Sequence, residues 1–441
     1  MELVAMTVGE SRPVRSARLL AGLTRNVFLI GLVSFLTDAS SEMILPLLPV
    51  FLSLGAVGQA LSAPEIIGLL EGLAETIAAL LKLASGIWAD HVQRKKPFIL
   101  FGYSFSGLIR PLMGLATSWW HPVAVRVADR VGKGLRSAPR DVLIAESTPA
   151  EYRGKAFGFH RSMDHAGALV GPLLAVALLF ALGEPGLDGP GKIRLLRQVF
   201  LLAAIPGAAC LAVIALWVRD VRSVPGGARL NLSWRSFDRN YRWYLACVFL
   251  FTLGNSTDMF LVLRAAEVLK SDGGMLSRGI WALATVPLLW AFFHACKMLC
   301  VAPLGALSDH LRRRSLIRLG WAIYALVYLG FALMNRAWQA WPLFAVYALY
   351  YGLTEGVEKA LVIDLAPPDL RGTAVGMFHF MVGAAAFPAS FLFGFVYHAA
   401  GPLAAFGYAA ALALAAAVLL TLTVKDRHHS GGLSPSSVAA R

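Results

Sequence analysis

The stretch Gly86-Ile-Trp-Ala-Asp90, followed by Arg94-Lys95-Lys96, has a second copy in this chain of 441 residues. The copy, Gly305-Ala-Leu-Ser-Asp309, begins 219 residues later and is followed by Arg312-Arg313-Arg314. Another phrase, Arg153-Gly154-Lys-Ala-Phe-Gly158, returns as Arg371-Gly372-Thr-Ala-Val-Gly376. A repeat with a period of about half the chain predicts two homologous halves.

The composition is that of a membrane protein. Hydrophobic residues make up 57% and charged residues 15%, and the mean hydropathy is +0.64, whereas a soluble chain has about a quarter charged residues. The apolar runs fit spans of about 20 residues each. We therefore predict an all-α polytopic membrane protein with 12 transmembrane helices in two six-helix pseudo-symmetric bundles. The expected spans are residues 27–53, 64–87, 97–117, 121–145, 155–182, 198–219, 243–267, 279–303, 315–334, 340–364, 372–398 and 401–424.

Basic residues concentrate in alternate loops, which is the positive-inside pattern. It predicts a location in the cell inner membrane with both termini in the cytoplasm, and it accounts for the net charge of +14 without a nucleic-acid partner. The expected organisation is a cytoplasmic tail (1–26), an N-terminal six-helix bundle (27–219), a cytoplasmic linker (220–242), a C-terminal six-helix bundle (243–424) and a second cytoplasmic tail (425–441).

The repeated phrase and this architecture resemble the major facilitator superfamily of secondary transporters, and the resemblance covers nearly the whole chain. That family carries Gly-x-x-x-Asp-x-x-x-Arg-Lys/Arg between helices 2 and 3. An aspartate near a helix end can meet a facing helix N-terminus or an arginine, so we expect the motif to act as a gate that holds one packing of the two halves. The matching residues here are Gly86, Asp90, Arg94 and Lys95, and in the second copy Gly305, Asp309 and Arg313.

The fifth span resembles the antiporter motif of the same family, Gly-x8-Gly-x3-Gly-Pro-x-x-Gly-Gly. The matching residues are Gly158, Gly167, Gly171 and Pro172, whereas Ala175-Val176 replaces the closing glycine pair. Small residues on one helix face allow close helix approach. The resemblance implies export by exchange, and the departure leaves the direction of transport open.

Charged residues inside the spans are costly in lipid and are expected to line an aqueous cavity or to pair with one another. The resemblance implies a cavity between the halves, lined by helices 1, 4, 7 and 10. A carboxylate that alternates between an arginine and a proton would couple transport to protons, and Asp38, with Arg126 or Arg130 as its partner, is the first candidate before Asp129 and Glu75. The alternative is a permanent ion-pair network. The full set of expected cavity residues is Asp38, Glu42, Glu71, Glu75, Arg126, Asp129, Arg130, Asp258 and Glu355.

The surplus of cations on the fourth span favours an anionic or zwitterionic substrate. We therefore predict a proton-coupled exporter of a small organic solute or drug, which works as a monomer in the lipid bilayer. A nutrient or metal-chelate importer, a metal-ion transporter and a non-transporting receptor are the alternatives. His294, Cys296, Met298 and Cys300 are soft ligands at helical spacing, but Lys297 among them would repel a cation. No nucleotide or catalytic motif occurs, so we expect no enzymatic activity, no cofactor and no bound metal.

Overall fold

The computed structural model describes residues 23–58, 61–91, 93–148, 153–184, 187–221, 237–273, 279–307, 311–367 and 371–425. These residues form α-helices and short 3-10 helices and contain no strand, so the all-α prediction is confirmed. The α-helices are α1 (Arg25–Glu42), α2 (Leu48–Ser53), α3 (Ala63–His91), α4 (Lys96–Ile109), α5 (Trp120–Glu146), α6 (Arg153–Leu182), α7 (Gly189–Leu202), α8 (Ala204–Leu216), α9 (Arg239–Gly254), α10 (Met259–Asp272), α11 (Trp281–Leu307), α12 (Arg313–Leu333), α13 (Ala340–Thr354), α14 (Val357–Leu365) and α15 (Arg371–Thr423).

Several predicted spans consist of two helical pieces joined at a break. Asn255, with ψ of 79°, separates α9 from α10. Gly401 has φ of 82° and divides α15 into two helices, as the sequence predicts for its last two spans. Glycine tolerates this positive φ because it has no Cβ. When pieces are joined across such breaks, the described helices follow the order of the predicted spans.

Eight segments of the described residues are long and apolar enough to cross a membrane. The charged helices α3 and α5 are not among them. Charged helices cross a membrane only where they face a protein interior or an aqueous cavity. These two helices therefore belong to the polar centre of the molecule, and the count of twelve crossings stays a prediction.

Each half repeats one contact between its two ends. Asn26, in the first turn of α1, donates to the Arg219 carbonyl and accepts from the Arg219 N–H, at 3.0 Å in both cases. Asn240, in the first turn of α9, makes the same two bonds with Lys425, each of 2.8 Å. In both halves an asparagine thus ties the first helix to the end of the last. This is a structural counterpart of the sequence repeat, while the exact bounds of the two bundles stay a prediction.

The halves meet along two helix pairs, α3 with α15 and α6 with α11. Glycine allows the first pair to approach closely, since a Cβ added to Gly72 would stand 3.0 Å from the Cα of Phe387. One turn further along α3, the Thr76 hydroxyl donates to the Gly383 carbonyl at 2.7 Å. Such contacts between small residues are typical of membrane helix interfaces.

The buried apolar residues show where the halves separate. Leu48 and Phe51 of the N-terminal half share one core with Phe260 and Phe393 of the C-terminal half. A second core is confined to the N-terminal half, at its end nearer the chain termini, and includes Val27, Tyr103, Leu143 and Ile214. The halves are therefore packed together at the end away from the termini, which we call the outer end. At the opposite end, which we call the terminal end, they have separate cores.

Candidate functional site

Four buried charged residues of the N-terminal half form one ion-pair network. Arg126, on α5, donates through Nε to Glu71 Oε1 at 2.6 Å and through Nη2 to Glu71 Oε2 at 3.1 Å. Arg110 Nε donates to Asp129 Oδ1 at 2.7 Å, and Arg126 Nη1 lies 3.7 Å from Asp129 Oδ2. All four side chains are buried. The charges of two arginines and two carboxylates cancel. The ion pairs of Arg126 and Asp129 therefore hold α3, α5 and the end of α4 together.

A second pair on the same two helices is more exposed than this network. Arg130 Nε is 3.2 Å from Glu75 Oε1, and the Glu75 side chain keeps 45% of its exposure, against 11% for Arg130. The contact lacks hydrogen-bond geometry at Arg130 Nε. Glu75 is therefore partly exposed, and it compensates the charge of Arg130; a cavity role for either residue stays a prediction.

Asp38, on α1, has a different environment from the other acids. Among the described residues its carboxylate has no ion-pair or hydrogen-bond partner, so the expected pairing with Arg126 or Arg130 is not formed in this structure. The charges that act on it come from four helical elements: Asp164 on α6, Lys133 on α5, Glu42 on α1 and Arg110 at the end of α4. Helical spacing placed Asp38 on the inner face, but the arginines have their partners on α3.

The glycines of the fifth span lie directly against Asp38 and its neighbour. A Cβ on Gly167 would stand 3.0 Å from the Cβ of Asp38, and a Cβ on Gly171 would stand 2.8 Å from the Cβ of Glu42. Gly158 has open space around it, and Pro172 lies inside α6. Two of the three motif glycines therefore set the distance between α6 and the acidic face of α1.

Glu42 connects the two halves. Its Oε2 accepts a hydrogen bond of 2.8 Å from Trp290 Nε1 on α11. Trp290 also packs edge-on against His294, whose two ring nitrogens are buried without a hydrogen-bond partner in the described part of the chain. Among the same residues, no three histidine, cysteine, aspartate or glutamate side chains converge as metal ligands would.

The C-terminal half contributes an acid and a lysine joined by one tyrosine. Asp258 accepts from the hydroxyls of Tyr347 and Tyr351, each at 2.6 Å. The ammonium of Lys297 lies 3.6 Å from the centroid of the Tyr351 ring, a cation–π contact. Lys297 is a buried residue at 9% exposure. Asp258 is thus held by two tyrosines, and its place in a substrate cavity stays a prediction. The sequence interpretation gave no binding role to Lys297.

A further ion pair crosses between the halves nearer the terminal end. Arg161 on α6 pairs with Glu355, which directly follows α13. Arg161 Nη1 also lies 3.8 Å from Asp164 Oδ2, and Asp164 accepts a hydrogen bond from Ser34. The Arg161 side chain is 55% exposed. Glu355 therefore lies at the interface of the halves as the partner of Arg161, and its predicted role in the cavity stays a prediction.

The repeated gate motif is only partly covered by the described structure. Gly86 and Asp90 lie in α3 and Gly305 lies in α11, while Asp309 is outside the described residues. Arg313 Nη1 donates to Asp364 Oδ2 at 2.5 Å and to the Ala360 carbonyl at 3.2 Å.

In the first copy of the motif, the backbone N–H groups of Lys95 and Lys96 both donate to Asp220 Oδ1, at 3.0 and 3.1 Å. Arg94 is exposed and Lys95 is buried. A carboxylate is stabilised at this position because it meets the free N–H groups at the start of α4. The basic residues that follow each motif therefore anchor helix ends, and the gate role of the two aspartates stays a prediction.

The residues that sequence reasoning missed as site members are Trp290, Lys297 and Tyr347. Trp290 and Lys297 are seven residues apart, so they lie on one face of α11. This spacing was the signal that could have identified the pair, because the face also contains His294. The hypothesis of a soft-ligand cluster drew attention to His294 and the cysteines instead.

Comparisons with known proteins agree with this architecture. The family model described as Major Facilitator Superfamily matches residues 30–390 and 281–439. An uncharacterized MFS-type transporter of Methanocaldococcus jannaschii is 34% identical over 400 residues, which is 90% of this chain and 94% of the relative. The multidrug resistance protein MdtG of Yersinia enterocolitica is 30% identical over 201 residues, 44% of each chain. A crystal structure of a mutant nucleoside transporter NupG superposes with a TM-score of 0.73 at 13% identity, covering 90% of this chain and all of the other.

Proposed function

The chain belongs to the Major Facilitator Superfamily and is a membrane transporter, and we propose that it exports a small anionic or zwitterionic organic solute in exchange for protons. The observation that carries the proposal is Asp38. It is an acid on the inner face of α1, it has no ionic partner in the described part of the chain, and the glycines of α6 hold it in close packing. An acid in this situation is free to exchange a proton during the cycle.

The transport step is alternating access between the two halves. The structure has them packed at the outer end around Phe51 and Phe260, with separate cores at the terminal end. Opening the outer end requires breaking the hydrogen bond from Trp290 to Glu42. Protonation of Asp38 changes the charge next to Glu42 on the same helix, so proton uptake and the packing of the halves act on adjacent turns of α1.

Two observations support export. The motif glycines Gly167 and Gly171 shape the contact between α1 and α6, and this is the segment that resembles the antiporter motif. A relative over 44% of the chain is named for multidrug resistance. Import of a nutrient or metal chelate is the competing direction, and fluxes measured with the proton gradient in both orientations separate export from import.

The proposal of an anionic or zwitterionic solute rests on lysines and not on these arginines, because Arg126 is neutralised by Glu71 and Arg130 lies beside Glu75. Lys133 and Lys297 have no acceptor for their ammonium groups among the described residues. We further propose that the protein works as a monomer in the cell inner membrane, with both termini in the cytoplasm, and that it has no enzymatic activity.

The test is a pH-gradient-driven flux assay with the purified full-length protein in proteoliposomes. A panel of organic acids, amino acids and drugs is measured with the proton gradient in both orientations. We expect uptake into inside-out oriented vesicles to require an acidic lumen. Asp38→Asn should abolish uphill accumulation, whereas Glu184→Gln, which changes an exposed acid, should not. Full gradient-driven accumulation by Asp38→Asn would contradict the proposed proton carrier, and accumulation only in the opposite orientation would establish import.

A further inference from the structure

Lys297 lies on the face of α11 that meets the N-terminal half. It follows Trp290 by seven residues, so both side chains lie on the same helix face and about 10 Å apart along the axis. Trp290 bonds Glu42 at the closed outer end. Because α11 runs from the outer end to the terminal end, Lys297 lies about two turns on the open side of that bond. The charges that act on its ammonium are those of Asp258, Arg161 and Glu42.

The residues around Lys297 position it without using its hydrogen-bond donors. The ring of Tyr351 lies beneath the ammonium at 3.6 Å, and Phe293 is a second ring at 5.4 Å. A ring face attracts a cation but accepts no conventional hydrogen bond. Within the described part of the chain, no oxygen accepts from Lys297 Nζ, although the residue is nine-tenths buried.

Asp258 does not supply the missing acceptor. Each of its carboxylate oxygens accepts a tyrosine hydroxyl at 2.6 Å, Tyr347 on one and Tyr351 on the other. Tyr351 therefore contacts both charges, with its hydroxyl on Asp258 and its ring face under Lys297. This arrangement fixes the two groups and leaves the ammonium donors directed elsewhere. An ammonium that has no acceptor in the described part of the protein can donate to an incoming anion, and a hydrogen bond to a charged group is a strong one.

The cations of the N-terminal half are less suited to bind an anion. Arg126 has two hydrogen bonds to Glu71, and Arg130 has Glu75 at 3.2 Å. Lys133 lies in the field of Arg130, Glu75 and Asp38, and Asp38 is the acid to which the proposed function assigns proton exchange. Lys297 is a buried lysine on the opposite wall, and Asp258, the acid of its own half that acts on it, is already bonded to two tyrosines.

We infer that Lys297 binds the carboxylate group of the transported solute, and that Tyr351 and Asp258 hold the lysine in place for this contact. The inference rests on the proposed function, because it specifies which wall of the central cavity receives the anionic end of the solute. Lys297 would donate to the solute carboxylate in a charge-assisted hydrogen bond, and the Tyr351 ring would remain beneath the ammonium.

The experiment measures the affinity of purified full-length protein for three probes of one shape: phenylacetate, phenylacetamide and phenethylamine. The wild-type protein should bind phenylacetate most tightly. Lys297→Gln should weaken phenylacetate binding by about 10- to 100-fold, the range for losing one charge-assisted hydrogen bond, and should leave phenylacetamide within about twofold. Lys297→Arg should retain the preference for the acid. Lys270→Gln, which changes an exposed lysine at the end of α10, is the matched control and should bind as wild type.

The outcomes separate this inference from the proposed function. If the wild type prefers phenylacetate and Lys297→Gln retains that preference, the carboxylate binds elsewhere, and only the inference is overturned. If the wild type shows no preference for the acid, including the case in which no probe binds, the inference is overturned together with the proposed charge of the solute. Proton coupling is tested separately by the Asp38→Asn fluxes. A loss of binding supports the inference only if Lys297→Gln is folded, which is checked by its melting temperature.

Discussion

Trp290 Nε1 donates a hydrogen bond of 2.8 Å to Glu42 Oε2, and the two residues are 248 positions apart in the chain. The bond joins α1 of the N-terminal half to α11 of the C-terminal half. It lies where the closed outer end of the molecule borders its open side. A hydrogen bond to a charged group contributes about 1.5–3 kcal/mol. An interaction of this size between two moving bodies is large enough to set their equilibrium.

We therefore predict that Trp290→Phe shifts the protein toward the state that is open at the outer end. The substitution keeps an aromatic ring but removes the N–H donor together with the second ring of the indole, so the closed state should lose about tenfold or more in relative population. The measurement is the distance between spin labels placed at the outer ends of α2 and α10. Trp281→Phe, which changes a part-exposed tryptophan in the same helix, is the control. An unchanged distance distribution in Trp290→Phe would show that the bond does not hold the outer end closed.

The buried network of Glu71, Arg126, Asp129 and Arg110 leads to a prediction about stability. Arg126→Gln should destabilise the protein by about 3–5 kcal/mol, because it leaves Glu71 charged and buried without its partner. The double variant Glu71→Gln/Arg126→Gln should recover a large part of that loss, since both charges are then removed. Denaturation in detergent of the two single variants and the double variant measures the coupling. Additive losses would mean that the two side chains do not interact in the folded protein.

The fold could be predicted from the sequence because each signal that indicates it acts over a short stretch of chain, and these stretches follow one another. Hydropathy, the doubled Gly-x-x-x-Asp phrase and the glycines of the fifth span each act locally, and the helices follow in the predicted order. The repeat has a further counterpart in the Arg25-Asn26 and Arg239-Asn240 pairs at the start of each half, whose role is visible only in the fold.

Partners within the site could not be predicted in the same way. Helical periodicity gives the face on which a residue lies, but not the rotation and tilt of the helix it meets. The sequence predicts Arg126 or Arg130 as the partner of Asp38 on α1, whereas both arginines pair with glutamates of α3. From the sequence, Lys297 is only a cation that would repel a metal ion, because only the folded chain shows that the Tyr351 ring lies under it and that Tyr351 also bonds Asp258.

The motif glycines give a third prediction with an internal control. Gly171→Ala places a methyl group where Glu42 Cβ would be 2.8 Å away, so it should force α1 and α6 apart and cost about 1–3 kcal/mol. Gly158→Ala, in the same helix and the same motif, meets no atom within 4 Å and should create no steric clash. Melting temperature and proton-driven flux are measured for both variants. Equal behaviour of the two would show that the motif does not act through helix packing.

The fourth prediction concerns the ion pair between Arg161 on α6 and Glu355 after α13. The Arg161 side chain is 55% exposed, and exposed pairs contribute only about 0.2–1 kcal/mol. Arg161→Gln and Glu355→Gln should therefore each change turnover by no more than about fivefold. The charge-reversed double variant Arg161→Glu/Glu355→Arg should return toward wild-type turnover, and the difference between single and double variants should shrink as salt is raised. Turnover at two ionic strengths is the measurement.

A loss of transport in Arg161→Gln as severe as that in Asp38→Asn would instead place Arg161 in the coupling machinery, because weakening an exposed interface pair cannot account for a loss of that size.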